Sequence, residues 1–141
     1  GARFSRELMY LLDSNACIRI LNDRSSALTR RVAAHRPDVI YLSSVVKAEL
    51  IYGAYRSSRI AENLRTLKRF FVPFTPVAFD DQCVDTYGRI RSSLQVTGTP
   101  IGANDLLIAA TAITHELTLI THNVREFTRI PGLEIEDWET E

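Results

Sequence analysis

The sequence predicts an α/β layer fold with a mainly parallel sheet, on three observations. Short apolar runs alternate with amphipathic stretches along the whole chain. The early runs break into Ser, Asp or Asn clusters, the residue types that start helices and make turns. The length of 141 residues, with 45% hydrophobic and 24% charged side chains, suits one domain with a real core.

Residues 9–12 form the first expected strand, ended by Asp13-Ser14-Asn15. A helix follows through Ile18 and Leu21, and a second through Leu28 and Val32 as far as the stop at Pro37. Residues 39–42 give the second strand, and Ser43 and Ser44 are available to cap a helix over residues 45–55. Ile60, Leu64, Leu67 and Phe71 recur at helical spacing. Pro73 and Pro76 then bracket a short extended piece around Phe74. Val84, Tyr87, Ile90 and Leu94 mark another amphipathic helix, and residues 98–102 form a loop. A helix over 104–115 is apolar on every face and therefore expected at the centre of the fold. Residues 117–121 form a strand, and 133–135 form a last edge strand. Connections in parallel sheets put ligands outside the C-terminal ends of strands, and Asp13 and Asn123 both fall there.

Composition narrows the functional classes. Net charge is zero, which speaks against a globally basic nucleic-acid binder. The positive charge is nevertheless nearly all Arg, with Lys only at positions 47 and 68. Arg contacts phosphate through a planar, bidentate fork; a GC-rich genome would give the same bias. Cys17 and Cys83 are far apart and in no metal-ligand spacing, so no disulfide framework is expected and a reducing cytoplasm fits. The apolar run at 8–12 is too short to span a membrane, and no secretory signal is expected. Residues 1–8 are expected to be an N-terminal extension, in part a cloning remnant, with the domain over 9–141.

Three acids stand out. Asp13 suits a helix N-cap and equally a carboxylate at the mouth of the sheet. Glu49 lies on an almost wholly apolar helix with Lys47 on the opposite side, so burial would demand a distant Arg partner or a metal. Gly53, in the same helix, suggests a close packing contact. Asp105 opens the central helix, where it suits the dipole; if Asn104 caps that helix, Asp105 is free for another role. Asn123 and Glu126 follow the 117–121 strand, where a turn residue and a surface charge are the plain readings. Three carboxylates from distant segments suit a hard divalent cation such as Mg²⁺, which can activate water and stabilise charge on a phosphate. No His has a second His at ligand spacing, so zinc is not expected. Cys17 is expected to be a buried thiol, Tyr52, Tyr87 and Phe127 to be core, and Arg89 and Arg91 to face solvent, RNA or a partner.

Four segments, in this order, resemble the motifs of VapC-type PIN domains. They are Leu12-Asp13-Ser14-Asn15, Ala48-Glu49-Leu50-Ile51-Tyr52-Gly53, the stretch from Pro100 to Ala110 that contains Asn104 and Asp105, and Leu119-Ile120-Thr121-His122-Asn123-Val124-Arg125-Glu126-Phe127. The tail from Ile130 to Trp138 resembles the family as well. The resemblance implies an α/β/α sandwich and hydrolysis of RNA phosphodiesters with Mg²⁺, or Mn²⁺ in its place. It implies metal-binding and catalytic roles for Asp13, Glu49 and Asp105, a fourth catalytic position at Asn123, and support from Ser14 and Asn104. The fourth position is often Asp in the wider fold, so Asn123 removes one negative charge. The resemblance also implies a VapB-like antitoxin whose C-terminal segment occupies the active-site groove, a homodimer, and contact with DNA only through the antitoxin. Implied substrates are structured RNAs such as tRNA or rRNA loops. A non-catalytic PIN-like module binding RNA or protein is the alternative. A response-regulator phosphoacceptor domain is not expected: it needs a Lys after the last strand, and neither Lys47 nor Lys68 lies there.

Overall fold

The structure, a computed structural model, describes residues 8–140. The expected N-terminal extension lies, apart from Leu8, outside the described residues. The elements are β1 (Tyr10–Leu12), α1 (Ser14–Asn22), α2 (Ala27–Ala33), β2 (Ile40–Ser43), α3 (Ser44–Tyr55), α4 (Ile60–Phe71), β3 (Thr75–Val77), α5 (Gln82–Val96), α6 (Ala103–Thr114), β4 (Thr118–Ile120), α7 (Val124–Phe127) and β5 (Ile135–Glu136). The five strands form one sheet in the order β3-β2-β1-β4-β5, and every pairing is parallel. Helices flank it.

The strands are short and apolar because both faces are covered. Leu11, Leu12, Ile40, Leu42, Leu119 and Ile120 are all but fully buried. β1 is central, and the strand order reverses around it: β2 and β3 lie to one side, β4 and β5 to the other. A crevice therefore opens at the C-terminal ends of β1 and β4, where the chain turns away in opposite directions. The Asp13 amide donates to the Ile120 carbonyl at 3.2 Å and ties the two strand ends together.

Several elements differ in detail from expectation. The extended piece after Pro73 is a true sheet strand; it is at the edge, where Pro76 costs no ladder bond to a further strand. The last strand is Ile135–Glu136, beginning two residues and ending one residue later than expected. α2 stops at Ala33 rather than running to Pro37: the His35 Nδ1–H donates to the Arg31 carbonyl at 2.7 Å, and Pro37 forces Arg36 into extended geometry. α3 is not buried all round. Val46, Leu50 and Ala54 face the core, while Tyr52 and Tyr55 are about 60% exposed. Nothing packs against Gly53, so close approach does not explain that glycine. α6 meets expectation: Leu106, Ile108, Ala109, Ala110, Thr111 and Ala112 are buried, and it is the central helix of the fold. Phe127 is core; Tyr87 is only partly buried.

Candidate active site

The site is built at the crevice from element ends. Asp13 follows β1 and caps α1; its Oδ1 accepts from the Ala16 amide at 2.8 Å. The cap uses one carboxylate oxygen and does not exclude the functional reading. The residue is 4% exposed. Burial pushes its carboxyl above the ordinary range, against hydrogen bonds from the Thr121 hydroxyl and the Ala16 amide, and the charges of Glu139 and Glu49 push it further. Cys17, one turn into α1, is fully buried; burial and then the Asp13 charge raise its thiol. It is a packing residue.

Glu49 projects from the middle of α3 and is half-buried. Ser14, the first residue of α1, donates its hydroxyl to Glu49 Oε1 at 2.6 Å. That bond clamps α3 to the β1 end and fixes one carboxylate oxygen. Asp105 sits in the first turn of α6. Its carboxyl is pushed up to about 6, by burial first and then by the charges of Glu126, Glu49 and Asp13. These couplings place the four carboxylates in one electrostatic neighbourhood. Among the described residues, no Lys or Arg pairs with any of the four. The distant-Arg reading of Glu49 is thus set aside.

Asn123 lies just after β4. Its amide nitrogen Nδ2 donates to Glu126 Oε2 at 2.6 Å, which leaves the side-chain oxygen available. Its backbone amide donates to the Thr121 hydroxyl at 3.0 Å, so Thr121 joins Asn123 to Asp13. Asn104 is corrected. It does not cap α6: Gly102 holds the cap position in extended geometry, Asn104 is already inside the helix, and its side chain is exposed with no cap bond.

Three residues of the neighbourhood escape the sequence reading as site residues. Thr121 is fully buried beneath Asp13. Glu126, three residues after Asn123, has spacing typical of a capped first turn and lies in the fourth resembling segment, but on its own it reads as a surface charge. Glu139 arrives from the tail, which is held by Trp138. The indole is 1% exposed, stacked on His35 at 4.7 Å, against Tyr10 at 4.8 Å and under the Arg31 guanidinium at 5.2 Å. Arg19 Nε lies 3.6 Å from Glu139 Oε1. His122 lies next to Asn123 but turns to the tail, its Nδ1 3.0 Å from Asp137 Oδ2.

The sheet order and this acidic crevice define a class. A family model for the PIN domain matches residues 10–133, and the chain belongs to the PIN-domain family. Within it the similarity is to VapC ribonucleases. Ribonuclease VapC2 of Rickettsia felis is 36% identical over 94% of this chain and 99% of its own length. The tRNA(fMet)-specific endonuclease VapC of Salmonella typhimurium is 36% identical over 93% of this chain and 98% of its own. Among solved structures, DNA-bound VapBC from Salmonella typhimurium gives a TM-score of 0.88 at 36% identity, covering 94% of this chain and 99% of that one. VapBC2 from Rickettsia felis, bound to a promoter DNA fragment, gives 0.85 at 36% identity over 93% and 99%.

Proposed function

We propose that this protein is a metal-dependent endoribonuclease, the toxin of a toxin–antitoxin pair. One observation carries the reading: Asp13, Glu49, Asp105 and Glu126, from four elements, share one electrostatic neighbourhood in which no basic side chain among the described residues pairs with them. Crowded, partly buried carboxylates of this kind are costly unless a cation joins them. The donor set is all oxygen, which fits Mg²⁺ or Mn²⁺ and fits zinc poorly. Asp13, Glu49 and Asp105 would hold the ion, and when bound it supplies an activated water and a counter-charge for the phosphate.

The chain's own groups do the positioning. Ser14 fixes the Glu49 carboxylate. Thr121 and the Ala16 amide orient Asp13. Glu126 turns the Asn123 amide so that its oxygen faces away from that bond and is free for a ligand or water. Burial and the neighbouring carboxylates hold the Asp105 proton up to about pH 6.

The substrate class is RNA, cut where loops leave bases unstacked, as in tRNA or rRNA. The tRNA(fMet) specificity of the Salmonella relative favours tRNA. The proposed partner is a VapB-like antitoxin with its C-terminal segment in the crevice groove. The active unit is a homodimer, and DNA is met only through the antitoxin; that related VapBC complexes are found bound to DNA supports a DNA-binding complex. The cytoplasm is the proposed compartment; no helix among the described residues is long and apolar enough to cross a membrane.

Incubation of the purified protein with total bacterial RNA in Mg²⁺, Mn²⁺ or EDTA tests this, with Asp13→Asn and Asp105→Asn alongside. Discrete fragments that require metal and both carboxylates are expected. Cleavage by Asp105→Asn at the wild-type rate would refute the assigned centre. RNA binding without turnover would favour the non-catalytic module.

A further inference from the structure

Away from the crevice, the α5–α6 hairpin brings together three side chains of different chemistry. Asp80 lies just before α5, Cys83 in its first turn and His115 at the C-terminal cap of α6. Because the loop after α5 is short, the start of α5 stands beside the end of α6. The register is locked one turn further along, where Thr114 donates to Thr86 at 2.9 Å. The turn that leaves α6 fixes His115 too: Glu116 takes a left-handed φ of 57°, and the Leu117 amide closes onto Ala112 at 2.8 Å.

The Cys83 thiol donates to Asp80 Oδ1 at 3.3 Å, and His115 Nε2 lies 3.1 Å from Asp80 Oδ2. The sulfur, the ring nitrogen and a carboxylate oxygen all fall within 4.8 Å of one another. Ordinary zinc bond lengths of about 2.3 Å to sulfur and about 2.0 Å to nitrogen and oxygen put neighbouring donors of a tetrahedral site about 3.3–3.6 Å apart. The three atoms need shift little to match. Cys83 is fully buried, while Asp80 and His115 are part-exposed and leave a path for the ion and for a water as fourth ligand.

We propose that Asp80, Cys83 and His115 form a second metal site, specific for a borderline-soft divalent cation of the zinc class and separate from the oxygen-lined crevice. Sulfur and imidazole donors select zinc over magnesium. On binding, the Cys83 sulfur bonds to the metal and gives its proton to solvent, and the hydrogen bonds to Asp80 give way to metal–ligand bonds. The ion would clasp the open end of the hairpin. The other close group of potential ligands, His122, Asp137 and Glu139, is weaker: it has no sulfur, His122 is largely exposed, and Arg19 already sits at Glu139.

Cobalt(II) titration of the full chain in the Asp105→Asn background, which disables the crevice, gives a readout that only sulfur ligation produces. We expect a near-ultraviolet thiolate-to-cobalt band that saturates at one equivalent and is displaced by Zn²⁺. Cys83→Ser abolishes it, and Cys17→Ser, in the buried thiol behind Asp13, leaves it intact. Loss of even an outer-shell partner costs about 10–100-fold in metal affinity. His115→Gln, at a partly exposed position, should therefore weaken Zn²⁺ at least about tenfold against a chromophoric chelator, with folding checked by circular dichroism. Absence of the band, or its survival in Cys83→Ser, overturns the proposal, as does unchanged Zn²⁺ affinity in His115→Gln.

Discussion

Helix α6 carries a different kind of polar cluster at each end. At its start, Asp105 joins Asp13, Glu49 and Glu126, all oxygen and all negative. At its end, about 15 Å away by helical rise over ten residues, His115 meets Asp80 and Cys83, where nitrogen, oxygen and sulfur already satisfy one another through hydrogen bonds. The first cluster is strained without a cation, since Glu126, Glu49 and Asp13 raise the proton affinity of Asp105, and Glu49 that of Asp13. The second is at rest, and Asp80 is held below its ordinary range chiefly by the Cys83 thiol, with His115 helping. Donor chemistry separates the proposed hard-metal centre from the proposed borderline-metal clasp, and degree of satisfaction separates the proposed reactive cluster from the proposed structural one.

The contrast breaks most sharply at Asp105. Asp105→Asn should cut RNA cleavage by about 10³-fold, as read from the rate at which the fragments appear. Zn²⁺ binding at the hairpin should be unaffected. Trp138→Ala comes next. Truncating this buried indole should cost about 3 kcal/mol or more by thermal or denaturant unfolding, and should lower cleavage as well, because the tail that brings Glu139 toward Asp13 comes loose. If stability fell and cleavage did not, the tail would have no part in the site. Ser14→Ala, which frees Glu49, should reduce cleavage about tenfold with near-normal stability.

The smallest effect is a pH dependence. Folding raises the Asp105 carboxyl from an ordinary value near 3.8 to about 6. Between those values the folded chain holds more protons than the unfolded one, so stability falls as pH rises through that window. Two units would be worth about 3 kcal/mol for a fully buried group; with half the carboxylate solvated, about 1 kcal/mol is expected. The metal-free protein should therefore lose melting temperature from about pH 4 to about pH 6. Asp105→Asn should flatten that slope, and saturating Mg²⁺ should reverse it at neutral pH. A slope unchanged in Asp105→Asn would locate the strain elsewhere.

Much of this was legible in the sequence because it is local. Alternating apolar runs identify buried parallel strands, and Asp13, Glu49, Asp105 and Asn123 each sit at a position that periodicity or an element end makes conspicuous. What escaped depends on tertiary contact. The stretch around β3 reads only as a short extended piece around Phe74 and not as a sheet strand, because Pro76 hides a strand that only its edge position permits. Asn104 looked like a cap because the α6 boundary was placed one residue late, and a cap is decided by backbone geometry at one residue. The apolar ring of α3 suggested burial, but no spacing rule says that Tyr52 and Tyr55 face solvent rather than the core. Thr121 and Glu139 acquire meaning only through Asp13, more than a hundred residues earlier in the chain. His115 likewise gains its meaning from Asp80, 35 positions away.

The two-residue β5 has a consequence for how the molecule behaves in company. The Leu119 amide donates to Glu134 and the Thr121 amide to Glu136, so the chain's own tail occupies the flank of β4 that a foreign strand would otherwise seek. The new border is too brief to template further pairing, and the charges of Glu134 and Glu136 repel a second copy approaching it. A strand this small adds little to the sheet by itself; its value is in closing that side of the molecule to self-association.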